Sequence, residues 1–68
     1  MYDYKALVKK LRKKMIITQE EMAKLLGVSF ASVNRYENGK TIPTMKVKRK
    51  IVELCKKNYI ELVSKGEE

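Results

Sequence analysis

Several residue types on which enzymes and metal sites depend are missing or scarce in this chain of 68 residues. It has no histidine, one cysteine and three glycines. The sequence also lacks a plausible carboxylate pair, metal-ligand spacing and a glycine-rich phosphate loop. These absences argue against an enzyme, and we predict no catalytic residue, no metal ligand and no cofactor.

A single cysteine and the lack of a long apolar run limit the environment of the protein. Cys55 has no second cysteine with which to form an internal disulfide. With no signal peptide and no long apolar span, the sequence predicts a soluble, cytoplasmic protein. Cys55 falls on an apolar helical stripe, so we expect a buried small hydrophobic residue rather than a redox or metal role.

Basic residues are abundant and unevenly distributed. Sixteen Lys and Arg against eight Asp and Glu give a net charge of +8. Residues 1–14 carry six basic groups and one acidic group, and residues 46–57 carry six and one, so each segment is +5. Residues 15–45 carry three groups of each sign and are neutral. This pattern indicates a polyanionic partner, with basic flanks on the phosphate backbone, although solvated lysines would give the same pattern.

The stretch from Thr18 to Lys40 reads as two short helices joined by a tight turn. Thr18 and Glu21 have the spacing of a capping box, which predicts that helix two begins at Gln19. Its buried stripe is predicted at three positions: Met22, Leu25 and Leu26. Gly27 is suited to the left-handed conformation that ends a helix.

A third helix follows directly, with Ser29 as its predicted cap. Val33 and Tyr36 mark its buried side, and four other residues lie away from that line: Phe30, Ala31, Asn34 and Arg35. We expect the helix to end at a left-handed pair, Asn38 and Gly39. This is the layout of a helix-turn-helix DNA reader.

Two more amphipathic helices complete the predicted core. The apolar stripe of helix one comprises Tyr4, Leu7, Val8, Leu11 and Met15. Pro43 and a capping Thr44 precede helix four, whose inner face comprises Val47, Ile51, Leu54 and Cys55. A further apolar cluster comprises Tyr59, Ile60, Leu62 and Val63. It continues helix four, forms a fifth helix or packs against another copy of the chain, and the sequence does not choose among these.

The predicted fold class is therefore all-α, a compact bundle of four or five helices. We assign residues 1–64 to one domain, with the helix-turn-helix at about residues 18–38. A chain of this length buries about 60% of its unfolded surface. Residues 65–68 show no periodicity and are expected to fray.

One continuous segment of the chain shows a family resemblance: TQEEMAKLLGVSFASVNRYENGKTIP. It resembles the Cro and xenobiotic-response-element (XRE) family of helix-turn-helix domains, which includes the lambdoid phage repressors, and the likeness extends from about Tyr4 to Cys55. The resemblance implies four or five short helices that bind operator DNA, usually as a dimer, with helix three in the major groove.

The resemblance also implies a set of contacts with double-stranded DNA. Contacts to base edges match Phe30, Ala31 and Arg35, and Asn34, which matches the groove margin, is predicted to contact bases with them. Contacts to the DNA backbone match Gln19, Ser29, Ser32, Asn38, Lys40 and Thr41. Arg12 and Glu37 match an ion pair that ties helix one to the end of helix three, so we interpret both as structural.

Two positions depart from the family pattern. Ile16 stands between helices one and two, where Gly or Asn is frequent, and a β-branched residue is poorly suited to positive φ. We therefore expect helix one to end differently here. Phe30 and Ala31 replace glutamines, which favours apolar contact with thymine methyl groups. Phe30 folded onto the core, or buried in a partner interface, is the alternative.

The sequence thus predicts a sequence-specific DNA-binding transcriptional regulator. Repression by occupying an operator is the simplest mechanism for a chain without room for an activation or ligand domain. A homodimer is expected, and we prefer the Tyr59–Val63 cluster as its interface. A membrane-surface peptide is disfavoured because the apolar face of helix one is needed inside the domain. The main alternative is a protein-interaction or antitoxin-like accessory subunit that kept the fold without operator specificity.

Overall fold

A computed structural model describes residues 2–62 and 64, and four α-helices account for most of these residues. The helices are α1 (Tyr4–Met15), α2 (Gln19–Leu26), α3 (Phe30–Glu37) and α4 (Met45–Lys57). An isolated antiparallel bridge between Tyr2 and Ser64 brings the two ends of this region together. The all-α prediction is confirmed, and the described residues after α4 form no fifth helix.

Side-chain caps fix the starts of the first three helices. The Thr18 hydroxyl accepts from the Glu21 N–H at 3.1 Å, and the Glu21 carboxylate accepts from the Thr18 N–H at 2.9 Å. This capping box confirms the predicted start of α2. Ser29 caps α3 through the Ser32 N–H, again as predicted. Thr44 occupies the cap position of α4, but its side chain makes no capping hydrogen bond.

Helices α2 and α3 end at glycines in the left-handed conformation. At the end of α2, Val28 N–H donates to the Ala23 carbonyl at 3.0 Å, and Gly27 has φ 72°. The same six-to-one bond joins Lys40 to Arg35 after α3, with Gly39 at φ 71°. Both ends are Schellman motifs. The expected left-handed pair is wrong in one member, because Asn38 is right-handed with φ −92° and Gly39 alone reverses the chain.

Helix α1 ends in the same motif without a glycine. Ile17 N–H donates to the Arg12 carbonyl at 3.1 Å, and Ile16 takes φ 56° and ψ 55°. The expectation that a β-branched residue would avoid this conformation is therefore wrong. The left-handed region costs an L-residue roughly 1–2 kcal/mol. The two hydrogen bonds that close the motif and the short link to α2 impose this cost on Ile16.

The core lies where α1 packs against α3 and α4 and where α2 packs against α3. Its buried apolar residues are Leu7, Val8, Leu11, Met22, Ala23, Leu26, Val33, Tyr36, Val47, Ile51 and Cys55. Three predicted core residues are only partly buried and pack at its margin: Tyr4, Met15 and Leu54. Cys55 is fully buried, as predicted, and burial raises the pKa of its thiol.

The predicted buried face of α2 needs one correction. Leu25 is 38% exposed, whereas Ala23 and Leu26 are buried with Met22. Successive residues are about 100° apart around a helix, so Leu26 lies between Met22 and Ala23, at the middle of the buried face. Leu25 lies roughly 100° around the helix from Leu26, at the edge of that face.

The apolar residues that follow α4 belong mostly to the margin of the core. Tyr59 takes φ 57° and is 91% exposed, and Ile60 N–H donates to the Cys55 carbonyl at 2.8 Å. Ile60 and Leu62 are partly buried and pack against the core. Continuation of α4 and a short fifth helix are both wrong for residues 58–62. Val63 and the predicted frayed tail 65–68 lie outside the described residues.

The longest of the described helices, α4, has 13 residues. A helix that crosses a bilayer needs about 20 apolar residues. Within residues 2–62 and 64, none of the helices is long and apolar enough to span a membrane.

Candidate nucleic-acid interface

Helix α3 presents one continuous face to solvent. The residues on this face are Phe30, Ala31, Asn34 and Arg35, which are all exposed. They are spaced i, i+1, i+4 and i+5 and therefore share one side of the helix. Val33 and Tyr36 are buried on the other side, as the sequence predicts. All four residues predicted to contact bases are thus accessible together.

Phe30 projects from the first turn of α3 instead of entering the core. Its residue surface is 52% exposed, whereas Val33 on the same helix is fully buried. Phe30 also lines an open pocket together with Thr18 and Gln19 at the start of α2. The alternative that Phe30 folds onto the core beside Val33 is therefore wrong, and the beginnings of α2 and α3 border a shared depression.

The predicted backbone contacts surround this face. Gln19 is the first residue of α2 and is half-buried. The Ser29 hydroxyl accepts from the Ser32 N–H and donates to the Ser32 hydroxyl at 3.0 Å, so both serines are held at the start of α3. After α3, three exposed residues follow one another closely: Asn38, Lys40 and Thr41. These groups lie at the beginning of α2 and at both ends of α3.

Arg12 and Glu37 join α1 to the end of α3 through two hydrogen bonds. Arg12 Nε donates to Glu37 Oε2 at 2.7 Å, and Arg12 Nη2 donates to Glu37 Oε1 at 3.0 Å. Glu37 is 5% exposed, whereas the Arg12 side chain is 29% exposed. This two-point geometry is the strong form of a charged hydrogen bond, and it anchors α3 against α1.

The surroundings of Glu37 keep its carboxylate ionised. Burial by itself would raise the pKa of Glu37, but hydrogen bonds from Arg12 and Gln19 lower it, as do the positive charges of Arg12 and Lys9. The net effect is a pKa below the ordinary value. In Arg12 the shift has the opposite direction, because the hydrogen bond to Glu37 raises the pKa of the guanidinium. Both partners are therefore charged at neutral pH.

Sequence reasoning missed a set of amide hydrogen bonds that extends from this ion pair. Gln19 Nε2 donates to Glu37 Oε1 at 3.1 Å, and Asn34 Nδ2 donates to Gln19 Oε1 at 3.4 Å. Asn38 Nδ2 then donates to Asn34 Oδ1 at 3.0 Å. The spacing of Asn34 and Asn38 is visible in the sequence, since i and i+4 are neighbours on a helix. The bonds that reach Gln19 depend on tertiary packing and have no such signal.

The two basic segments lie on helices that pack against each other, α1 and α4. The lysines of α1 are all exposed, and those of α4 are exposed except Lys48. Lys48 is half-buried, and its Nζ lies 5.3 Å from the centre of the Tyr4 ring, a cation–π contact. Apart from Arg12 and Lys48, the basic side chains of these helices therefore point to solvent, where a polyanion can reach them.

A comparison with known protein families identifies a matching profile. The family profile described as helix-turn-helix matches residues 8–62, which include all of α2, α3 and α4 and most of α1. Neither the comparison with curated proteins nor that with solved structures gave a match. The matched region contains every residue predicted to contact base edges or the DNA backbone.

Proposed function

Because this chain belongs to the helix-turn-helix family of XRE type, we propose that it binds a specific double-stranded DNA sequence through α3 and regulates transcription. The family consists of DNA-binding, non-enzymatic domains of the transcription-regulator type.

The observation that carries this proposal is the exposed face of α3 beside the beginning of α2. A B-DNA major groove is about 12 Å wide and admits one α-helix. Helix α3 is eight residues long, and the four residues of its exposed face offer apolar, amide and guanidinium groups together. An inserted helix would place these groups against base edges.

Arg35 is the proposed main determinant of sequence. Its exposed guanidinium has the geometry to donate to O6 and N7 of guanine together. Asn34 supplies an amide beside it. Phe30 and Ala31 offer no hydrogen bonds and suit thymine methyl groups instead. The expected site therefore contains a guanine next to thymine-rich positions.

The proposed phosphate contacts flank this reading face. Gln19 and the first backbone N–H groups of α2 suit one phosphate, since a helix N-terminus attracts anions. Ser29 and Ser32 lie at the start of α3, and the loop after α3 supplies further contacts at Asn38, Lys40 and Thr41. The exposed lysines of α1 and α4 add sequence-independent attraction.

We further propose that the protein acts in the cytoplasm as a repressor, by occupying an operator as a homodimer. A symmetric dimer would read two half-sites about one helical turn apart. Of the three described apolar residues expected at the interface, Tyr59 is the most exposed, whereas Ile60 and Leu62 cover the core of their own chain. A purely monomeric protein in sedimentation at high concentration would refute a dimer that forms without DNA.

Two alanine variants test the proposed division of roles. Arg35→Ala should lose about 1–3 kcal/mol of binding free energy on the best site and relax the preference at one base pair. Lys40→Ala should weaken binding to every sequence and reduce the slope of affinity against salt by about one unit. Equal losses on all sequences for Arg35→Ala would make Arg35 a phosphate contact. An unchanged salt slope would show that Lys40 does not touch the DNA.

A further inference from the structure

We propose that Glu37 is a positioning residue for DNA recognition: its carboxylate fixes which way the Gln19 and Asn34 amides face, and therefore which base-pair edge Asn34 accepts. This inference rests on the proposed function, because Asn34 is a proposed base contact. It gives Glu37 a second role beside the ion pair with Arg12.

Three side-chain hydrogen bonds run in one direction toward Glu37. Asn38 donates to Asn34, Asn34 donates to Gln19, and Gln19 donates to Glu37, at 3.0, 3.4 and 3.1 Å. Each bond uses the amide NH₂ of one residue and the side-chain oxygen of the next. The series runs from the exposed Asn38 and Asn34, through the half-buried Gln19, to the buried Glu37.

An ionised carboxylate explains why the series runs in this direction. A carboxylate only accepts hydrogen bonds, so Gln19 must turn its NH₂ group toward Glu37. The side-chain oxygen of Gln19 then faces Asn34, so Asn34 must turn its NH₂ group toward Gln19. The oxygen of Asn34 in turn faces Asn38, which donates to it through its own NH₂ group. An amide between neutral neighbours has no such constraint, because its two ends have nearly the same shape and exchange by rotation.

Arg12 holds the Glu37 carboxylate, the last acceptor of the series, in place. It donates to both oxygens of the Glu37 carboxylate, so the carboxylate cannot rotate away from Gln19 without breaking a charged bond. The lowered pKa of Glu37 is consistent with an ionised acceptor at neutral pH. The constraint therefore begins at a fixed, buried charge and ends on the exposed face of α3.

The consequence for recognition concerns the unused groups of Asn34. Asn34 donates one N–H to Gln19 and accepts from Asn38 with one oxygen lone pair, so one N–H and one lone pair remain for DNA. A donor beside an acceptor matches the N7 and N6 groups of adenine only in one orientation. A reversed amide would set acceptor against acceptor. The fixed orientation should then be worth about 5- to 150-fold in preference between base pairs.

The first test uses the free protein and needs no DNA. In nuclear magnetic resonance spectra of the 68-residue chain, the Gln19 and Asn34 side-chain NH₂ groups should each show one proton shifted and protected from exchange. Glu37→Gln should abolish this pattern, since the amide at position 37 can donate as well as accept. Arg12→Lys is the matched control, because it weakens the same ion pair but retains the carboxylate. The Gln19 pattern should survive in that variant, because a lysine can still donate to one carboxylate oxygen and the carboxylate can only accept from Gln19.

The second test measures base preference on duplexes that vary one base pair at a time. Asn34→Ala first identifies the pair that Asn34 reads. Glu37→Gln should reduce preference at that same pair by about 5- to 150-fold, whereas Arg12→Lys, which retains the carboxylate, should leave the preference at that pair unchanged. If Glu37→Gln fails to fold, Gln19→Met interrupts the series and leaves the ion pair intact. It should lose the same base preference along with its phosphate contact.

The two tests separate failure of this inference from failure of the proposed function. Unchanged Gln19 and Asn34 amide signals in a folded Glu37→Gln variant would overturn the inference, whatever the protein binds. A uniform loss of affinity in Glu37→Gln and in Gln19→Met, with preference intact, would also overturn it. If the native chain prefers no DNA sequence, the proposed function fails, and the recognition role of Glu37 fails with it even where the amide pattern is present.

Discussion

Replacing Ile16 by glycine should stabilise the protein, although it removes a large apolar side chain. Ile16 adopts φ 56° and ψ 55° at the end of α1. An L-residue pays roughly 1–2 kcal/mol for this conformation, and glycine does not. The side chain is 88% exposed, so little buried apolar surface is lost.

The expected gain follows from two opposing terms. Relief of backbone strain raises the free energy of unfolding by roughly 1–2 kcal/mol. The greater conformational freedom of glycine in the unfolded chain lowers it by about 0.4–1 kcal/mol. With both terms at the middle of their ranges, Ile16→Gly raises the free energy of unfolding by about 0.8 kcal/mol. For a domain of this size, that raises the Tm by about 3–6 °C.

The reverse substitution is available at the end of α2. Gly27 has φ 72°, and a Cβ added there would meet no atom within 4 Å. Gly27→Ala should therefore lose about 1 kcal/mol through backbone conformation alone. Both variants can be measured by urea and thermal unfolding, followed by far-ultraviolet circular dichroism. An unchanged or lower stability of Ile16→Gly, beside a destabilised Gly27→Ala, would refute the reasoning about Ile16.

Two further predictions concern the core and its buried charge. Val33→Asp should unfold the domain, because the new charge would enter a fully buried position without a partner, whereas Ala31→Asp on the exposed face should fold normally. A cooperatively folded Val33→Asp variant in urea unfolding would contradict the assigned buried face. Stability should also fall in acid. Arg12 and Lys9 help to depress the pKa of Glu37, so its contribution is complete above its ordinary value of 4.5 and is lost as pH falls through the folded-state pKa. Glu37→Gln should lack this part of the pH dependence.

Local chemistry made the helix boundaries around the reading unit predictable. Thr18 with Glu21, Gly27 and Ser29 each act within a few residues of their own position, so their effects can be read from spacing. The exposed face of α3 was predictable for a similar reason, because Val33 and Tyr36 fix the opposite side of a regular helix.

The predictions from sequence that prove wrong fail where tertiary packing or chain closure overrides local conformational preference. Ile16 and Tyr59 both adopt left-handed conformations that their side chains disfavour, because each closes a Schellman motif at a helix end. Leu25 belongs to a helix of only eight residues, in which a small rotation of the buried face moves one residue out of it. The amide series from Glu37 joins residues that are 18 and 15 positions apart, and no periodicity reports such contacts.

The most direct test of the central claim is selection of bound sequences from a random pool of duplex DNA at near-physiological salt, with the 68-residue chain. Sequence-specific reading by α3 predicts a short enriched motif, as an inverted repeat if the protein binds as a dimer, and loss of one preferred base pair in Arg35→Ala. Binding that depends on salt but favours no sequence would contradict the claim. The fold would then serve a protein-interaction or accessory role instead.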